Sequence, residues 1–315
     1  MSTTRIDPAD AIGAGGVDDI TTPRRSTRSV TPTPPRPTTR ERVRRAVLDV
    51  VRQPGLVLAI LVLLLVLVAT WFPGLFTSYD PISPSGGRLL PPSSDHWFGT
   101  DEQGRDLFAR VVHGTSQSAQ AVVIAVLVGL VLGSTLGLVA AWVGGIVDDI
   151  LMRVVDVLLS VPALLISLAF ITALGFGTVN IAIAVGIGNV ASFARVMRAE
   201  VLRIKQHAFV EASTFAGIGR VRVLTRHVVP NALGPVFVLA TLETGLALLS
   251  VSALSFLGFG APPPAPEWGS LVAAGRDFIL VAWWMTTLPG LVVAATVLAA
   301  NRVARALDQN RGIAL

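Results

Sequence analysis

The chain contains no cysteine and few charged residues. The absence of Cys among its 315 residues excludes disulfides, thiolate metal sites and Fe–S clusters. Charged residues make up 14% of the chain, against about 25% in an ordinary soluble domain. The single lysine, Lys205, does not stand in a G-x-x-x-x-G-K-[ST] sequence, so the chain has no phosphate-binding loop of that type.

Long apolar runs accompany the low charge. Apolar residues account for 52% of the sequence, and runs of about 18 or more such residues are typical of membrane-spanning helices. We therefore expect an all-α integral membrane protein with six transmembrane helices. In the second span, Gly129, Gly133 and Gly137 indicate close helix packing, and Pro162 predicts a kink in the third. The predicted spans lie near residues 56–76, 119–142, 151–174, 179–197, 234–257 and 281–303.

Two regions are predicted from composition. Residues 1–53 are rich in Pro, Thr, Ser and Arg, lack apolar periodicity and are expected to form a disordered cytoplasmic tail. Residues 54–315 are expected to form the transmembrane domain. No signal peptide is expected, because the first apolar run begins only after some fifty residues. The arginines between Arg40 and Arg52 are interpreted as a membrane anchor on the positive, cytoplasmic side.

Basic residues predict the orientation. If the N-terminus is cytoplasmic, 21 of the 25 Lys and Arg residues lie in cytoplasmic segments. This asymmetry favours a multi-pass protein of the inner membrane with both termini in the cytoplasm. The net charge of +5 raises nucleic-acid binding as an alternative, but the charge is located in tails and loops. Membrane orientation explains the positive charge better. We therefore expect the chain to contact a lipid bilayer and no nucleic acid.

A polar segment, Glu211–Asn231, lies between two apolar runs and must lie in water beside the membrane. Gly217 and Gly219 predict a turn between two short helices, and Pro230 fits the opening turn of the next helix. Such a structure would present a projection to a soluble partner. A solvated connecting loop is the alternative.

The same segment resembles the EAA loop of ABC import permeases. The family pattern is E-A-A, three residues, G, nine residues, I, one residue, L-P. In that family the loop docks on the ATPase subunit, which implies that residues 199–232 form the coupling loop here. The matching positions are Glu211, Ala212, Gly217 and Pro230, with Ser213, His227 and Val229 in place of the third, Ile and Leu positions.

The segment HWFGTDEQGRD resembles a signature of the C-type permease subunit of dipeptide and oligopeptide importers. Two carboxylates around an arginine, with glycines beside them, indicate a polar turn that closes the external mouth. A metal site with His96 and His113 is the alternative, and the structural turn is favoured. The residues that carry the signature are Gly99, Thr100, Asp101, Gly104, Arg105 and Asp106.

This resemblance covers residues 54–307 and implies the type I ABC importer permease fold. It further implies a non-enzymatic subunit that forms half of a pathway for dipeptides or short oligopeptides. The expected partners are a second, homologous permease in a heterodimer, one or two ATP-binding subunits and an extracytoplasmic binding protein. ATP and Mg²⁺ would be bound by the partners, with no cofactor or metal in this chain. Nickel or haem uptake is the alternative within the same class.

Two other functional classes are alternatives. A self-sufficient secondary transporter generally carries intramembrane acids and inverted repeats, but only Glu243 lies deep in a predicted span. An intramembrane enzyme would need paired Asp, Ser/His or His/Glu groups inside the spans, and no His falls within one. Glu243 is therefore predicted to face the translocation pathway or a partner helix.

Overall fold

The computed structural model describes residues 53–312, without the side chains of Thr214 and residues 309–312. The predicted tail, residues 1–53, lies outside this range except for its last residue. Apart from one isolated β-bridge between Thr100 and Asp106, the regular structure in the described range is helical. The α-helices are α1 (Pro54–Trp71), α2 (Leu107–Val143), α3 (Gly145–Ser160), α4 (Ala163–Leu174), α5 (Thr178–Lys205), α6 (Ala208–Phe215), α7 (Arg220–Val223), α8 (Val229–Leu254), α9 (Trp268–Gly275) and α10 (Trp284–Gly312).

Five helical stretches in the described range are long and apolar enough to cross a membrane. They are α1, α2, α5, the continuous stretch Arg220–Phe259 that contains α7 and α8, and α10 up to Asp308. The bent pair α3 and α4 makes a sixth if it is one span. The prediction of an all-α membrane protein is confirmed. The helices run past the predicted spans at several ends, most of all in α2, which begins at Leu107 instead of near residue 119.

The third predicted span differs from the structure in shape. The sequence predicts one helix near residues 151–174 with a kink, whereas α3 and α4 are separate helices bent by 96°. Val161 is extended, with ψ of 133°, as the residue before a proline tends to be. Pro162 also has ψ of 130° and lacks an N–H, so the helix ends at Ser160 and restarts at Ala163.

Helices α2 and α5 form the centre of the fold by close packing. Gly129, Gly133 and Gly137 of α2 are buried. A Cβ built at Gly129 would lie 3.1 Å from the carbonyl oxygen of Gly186 in α5. At Gly133 and Gly137 it would come within 3.0 Å of backbone oxygens of α5. The four-residue glycine spacing therefore serves helix packing, as predicted.

A buried acid joins the loop after α8 to α2. Glu267 is fully buried and caps α9 by accepting hydrogen bonds from the N–H groups of Gly269 and Ser270, both at 3.0 Å. Its Oε1 also accepts from Ser118 Oγ of α2 at 3.2 Å. The indole N–H of Trp268 donates to Val111 O at 2.9 Å. These bonds fix the Pro-rich loop before α9 on the N-terminal half of α2.

Candidate functional site

The coupling loop contains the two short helices expected from its sequence. A turn with Gly217 and Gly219 connects α6 to α7. Gly217 has φ of +77°, a left-handed conformation that residues with a Cβ rarely adopt. The N–H of Ile218 donates to Ser213 O at 3.2 Å and closes the turn. The angle between the two helices therefore depends on the backbone of Gly217.

One side of the coupling loop is anchored in the core. Val210, Val223 and Val228 are buried at 6%, 2% and 0% exposure. They pack in one hydrophobic cluster with Met197 and Ile204 of α5. Because α6 and α7 each supply a buried valine to this cluster, a displacement of either helix would disturb the packing around the end of α5.

The opposite side of the coupling loop is exposed. The predicted contact residues Glu211, Ala212 and Gly217 all lie on the surface. Phe215 is 90% exposed and Val221 is 73% exposed. Exposed large apolar side chains are enriched at protein–protein interfaces. The short helices thus combine valines buried in the core with two exposed apolar side chains.

The two remaining predicted coupling residues have structural contacts. The hydroxyl of Ser213 donates to Phe209 O at 2.7 Å within α6. Pro230 is exposed and lies in the first turn of α8. A short π-helical turn, Leu224–Val228, joins α7 to α8, so the coupling loop continues directly into a membrane helix. The backbone from α7 to α8 is therefore helical without a break.

A groove of about 550 Å³ lies between the end of α2 and the two short helices. Glu211 and Arg220 line it, and the Glu211 carboxylate makes no hydrogen bond or ion pair with any other described residue. Lys205 lines the groove from the end of α5, donates from Nζ to Ala141 O at 2.8 Å and lies 5.7 Å from the Trp142 ring centroid. The lysine closes the C-terminus of α2, which leaves Glu211 and Arg220 as the charged groups available to a partner.

Ion pairs place α3 beside this end of α5. Arg198 forms a bidentate pair with Asp148, with Nε–Oδ1 and Nη2–Oδ2 distances of 2.6 and 2.7 Å. Arg195 pairs with Asp156 at 2.8 Å, in a more exposed position. The half-buried Arg198 pair is the stronger link because its two parallel bonds fix the guanidinium plane. The first half of the bent helix pair is thereby held to the helix that leads into the coupling loop.

The predicted external turn, Gly99–Asp106, is a compact polar structure. Asp101 is buried; its Oδ1 accepts from the N–H groups of Gln103 and Arg105 at 2.8 and 3.0 Å. Its Oδ2 accepts from Arg105 Nε at 2.6 Å and lies 3.5 Å from Arg110 Nε. Gly104 has φ of +78°, so this turn requires a glycine there. One carboxylate thus organises two buried arginines and the turn between them.

The ends of the turn are tied to the rest of the fold. Thr100 Oγ1 donates to Gly87 O at 2.6 Å, and Thr100 O accepts from the Trp284 indole of α10 at 3.3 Å. Asp106 caps α2 by accepting from the N–H of Ala109 at 2.7 Å. Gly99, at φ of +75°, packs so closely that a Cβ would meet Trp284. These contacts tie the turn to α2 and α10, and its role at the external mouth stays a prediction.

The metal alternative for this region has no matching geometry in the structure. His96 is engaged by Asp106, with Nδ1 at 2.8 Å from Oδ2. His113 lies on α2. Within the described residues no group of three or more His, Cys, Asp or Glu side chains is arranged to hold a metal ion.

Glu243 lies in α8 and is 7% exposed. Its carboxylate makes no hydrogen bond or ion pair with another described residue. In the sequence of α8 it stands between Ala240, which belongs to the cluster below the coupling loop, and Ala247, which belongs to the largest core cluster. The structure therefore places it inside this chain. Its predicted position at the pathway or at a partner helix stays a prediction.

Replacing Glu243 with Leu is expected to change the transport rate and leave the amount of assembled complex unchanged. An acid in mid-membrane costs about 2.5–3.5 kcal/mol on insertion scales, so removing it does not weaken insertion. The check is uptake in vesicles together with the yield of the purified complex. Glu243→Gln serves as the matched variant, since it keeps the shape and removes the charge. Unchanged uptake in both variants would contradict the prediction.

Replacing Asp101 with Asn is expected to lower the thermal stability of the assembled protein. The change removes the charge that holds the buried guanidinium of Arg105, a loss of about 1.5–3 kcal/mol for a hydrogen bond to a charged group. Glu102→Gln is the control, because its pair with Arg105 is long, at 3.5 Å, and partly exposed. Thermal unfolding of both variants checks the prediction, and equal shifts would contradict the central role of Asp101.

The family model described as "Binding-protein-dependent transport system inner membrane component" matches residues 133–312, which is more than half of the chain. The chain belongs to this family. The match includes the coupling loop and α8 through α10, and it begins after the external turn. The chain is thus an inner-membrane component of a transport system that works with a binding protein.

Curated relatives extend the similarity beyond that range. A probable D,D-dipeptide transport system permease protein of Escherichia coli (strain K12) is 37% identical, over 77% of this chain and 82% of the relative. The dipeptide transport system permease protein of Alkalihalophilus pseudofirmus is 39% identical, over 76% of this chain and 78% of the relative. A glutathione transport system permease protein of Pectobacterium atrosepticum is 36% identical, over 76% and 80%. The resemblance to peptide permeases found in the sequence is confirmed.

Two solved structures show a partial likeness to this chain. One is described as inward-facing conformations of the MetNI methionine ABC transporter; it is 18% identical with a TM-score of 0.48, over 63% of this chain and 96% of that chain. The other is an amino acid ABC transporter, 14% identical with a TM-score of 0.49, over 64% and 94%.

Two residues of structural weight were missed in the sequence. Glu267 is not among the predicted residues, although an acid two and three residues before Gly269 and Ser270 is a recognisable cap. The sequence shows Lys205 only as the single lysine, whereas in the structure it closes the end of α2. Its contact with Ala141 spans 64 positions, so no local signal would have found it.

Proposed function

We propose that this chain is one permease subunit of an ABC importer that takes up dipeptides or short oligopeptides. It pairs with a second, homologous permease and forms half of the membrane pathway. An extracytoplasmic binding protein delivers the peptide, and one or two partner subunits bind and hydrolyse ATP with Mg²⁺. Both termini and the coupling loop lie in the cytoplasm.

The single observation that carries this proposal is the form of the coupling loop. Phe215 of α6 and Val221 of α7 are exposed, while valines of the same short helices are buried in the core. After the turn at Gly217, α7 continues through a π-helical turn into α8. A surface of this kind is suited to receive a force from a soluble partner and pass it to a membrane helix. The chain has no phosphate-binding loop of its own, which supports a partner as the source of ATP hydrolysis.

The peptide substrate rests on the relatives. The relatives reported above transport D,D-dipeptides, dipeptides or glutathione according to their names. These names support a short peptide over nickel or haem.

The absence of cysteine allows a direct test of the partner and the orientation. A single Cys at Ala212 would be the only thiol in this chain. In the assembled transporter, we expect it to crosslink to an ATP-binding subunit with a short bifunctional reagent. A single Cys at Leu280, which is 97% exposed, is the control; we expect it to react with an impermeant maleimide from the external side and to reach no ATP-binding subunit.

Uptake completes the test. Proteoliposomes with the complete transporter and its binding protein should accumulate labelled dialanine in the presence of ATP, and excess unlabelled dipeptide should compete where nickel or haem does not. Failure of the Cys at Ala212 to reach an ATP-binding subunit would contradict the assignment of the coupling loop. Uptake of nickel or haem in place of the dipeptide would contradict the substrate.

A further inference from the structure

A pocket of about 300 Å³ opens between the loop after α1 and the start of α2. Three segments line it: residues 76–79, residues 94–97 and the first residues of α2 with their cap. The pocket lies beside the external turn, on the side opposite to the coupling loop along α2. Its principal lining side chains are four aromatic rings and two carboxylates, Phe76, Tyr79, Trp97, Phe108, Asp95 and Asp106.

Local hydrogen bonds define the turns in the first two segments. Thr77 Oγ1 accepts from the N–H of Tyr79 at 3.1 Å. In the second segment, the N–H of Ser93 donates to His96 O at 2.8 Å, and the N–H of His96 donates to Ser93 Oγ at 3.2 Å. The latter turn presents Asp95 and Trp97 on either side of His96. Each of these two segments thus contributes a hydrogen-bonded turn to the pocket.

His96 connects these segments to α2. Its Nδ1 lies 2.8 Å from Asp106 Oδ2, and its ring lies 5.3 Å from the ring of Tyr79. Trp97 in turn contacts Phe108, with ring centroids 5.1 Å apart. The aromatic rings of the pocket are thus positioned by contacts across its three segments. A rigid set of rings loses little conformational entropy on binding a ligand.

The charges of the lining favour a cation. Asp106 is buried and its two oxygens are used by Ala109 N–H and His96. Asp95 is exposed, and its carboxylate has no hydrogen bond or ion pair with another described residue. None of the described residues that line the pocket is Lys or Arg. Trp97 is 63% exposed, so an aromatic face is available next to a free carboxylate.

Aromatic rings beside a carboxylate are the recognition chemistry of organic ammonium groups. The ring face attracts the cation, and the carboxylate accepts its N–H bonds. A volume of about 300 Å³ is at the lower end for ligand pockets, which suits an ammonium with a few carbon atoms and not a whole oligopeptide.

We propose that this pocket binds an organic ammonium group at the external mouth of the permease, with Asp95 and Trp97 as its principal contacts. The group has two available sources, the N-terminus of a peptide and the ethanolamine headgroup of a phospholipid. Only the peptide source rests on the proposed function. In either case the site lies on the opposite side of the protein from the coupling loop.

The test uses the complete transporter in nanodiscs without binding protein or ATP. For the peptide source, saturation-transfer NMR compares dialanine with N-acetyl-dialanine. For the lipid source, native mass spectrometry compares the retention of phosphatidylethanolamine with that of phosphatidylglycerol. The variants are Asp95→Asn and Trp97→Leu, and the matched controls are Asp277→Asn and Trp71→Leu, whose side chains are exposed and lie outside the pocket.

We expect the wild type to bind dialanine in preference to N-acetyl-dialanine, or phosphatidylethanolamine in preference to phosphatidylglycerol. Each pocket variant should lower binding of the preferred compound about five- to tenfold, the order of one partly exposed cation–π or charge contact. The control variants should bind it as the wild type does. Elution of each variant as the intact complex shows that the loss is not due to unfolding. Selective binding of dialanine alone identifies a peptide as the source of the ammonium group, and selective binding of phosphatidylethanolamine alone identifies a lipid.

Two results would overturn the proposal. In the first, the wild type binds neither dialanine over N-acetyl-dialanine nor phosphatidylethanolamine over phosphatidylglycerol. In the second, the control variants lose as much binding as the pocket variants. Since no step of the test involves transport, its failure is separable from that of the proposed function. A transporter that imports dialanine but retains neither probe overturns the pocket alone, whereas retention without import overturns the function alone.

Discussion

Replacing Gly217 with Val is expected to lower dipeptide uptake and substrate-stimulated ATP hydrolysis together, by on the order of tenfold, while the chain remains inserted and assembled. Gly217 has φ of +77°, and a Cβ in this conformation costs about 1–2 kcal/mol. The turn relieves that strain by changing the angle between α6 and α7. A projection transmits force only at a fixed angle, so the coupling is lost before the fold is. Uptake and ATPase rates in proteoliposomes measure the effect.

The surroundings of Gly217 make this a test of backbone angle alone. A Cβ built there meets no atom within 4 Å, so the variant introduces no steric clash. Gly219 is the matched control: it lies two residues away, also has open space, and has φ of −57°, which Val accepts. Gly217→Asn should recover part of the activity, because Asn tolerates the left-handed conformation. Full coupling in Gly217→Val, or equal losses in both valine variants, would contradict the prediction.

The features that local sequence predicts well are those with a local cause. Apolar runs of membrane length predicted the helical spans, because every backbone N–H and C=O in a bilayer must be paired within the chain. Gly217 was predicted at a turn because glycine lowers the cost of left-handed angles, and the structure has that conformation there. In both cases the residues that determine the structure lie in the same segment as the helix or turn that they form.

Features that depend on distant segments were not predictable in this way. Pro162 indicated a kink, but the size of the bend depends on what α3 and α4 pack against, and the pair bends by 96°. Glu267 contacts Ser118, 149 positions away, so its cap could be inferred but its link to α2 could not. For Glu243, the apolar pattern of α8 shows burial without distinguishing a neighbour in this chain from a partner.

Replacing Gly137 with Leu is expected to prevent normal packing of α2 on α5 and to lower the free energy of unfolding by about 3 kcal/mol or more, at the upper end of overpacking effects. A Cβ at Gly137 would come within 3.0 Å of the carbonyl oxygen of Ala194, and a backbone atom cannot move aside as a side chain can. The two helices would have to separate along their longest contact. Thermal unfolding and the yield of assembled complex measure the loss.

A graded alanine series makes the cause of that loss specific. Gly129→Ala should cost least, because its Cβ meets the oxygen of Gly186 at 3.1 Å and the neighbour needs to shift only slightly. Gly133→Ala and Gly137→Ala should cost more, since both meet backbone oxygens of α5 closer than 3.0 Å. Gly290→Ala in α10 is the control; its Cβ meets nothing within 4 Å, and alanine favours the helix by about 1 kcal/mol. A series in which all four alanine variants unfold at the same temperature would mean that helix propensity, and not the close approach of α2 to α5, governs these glycines.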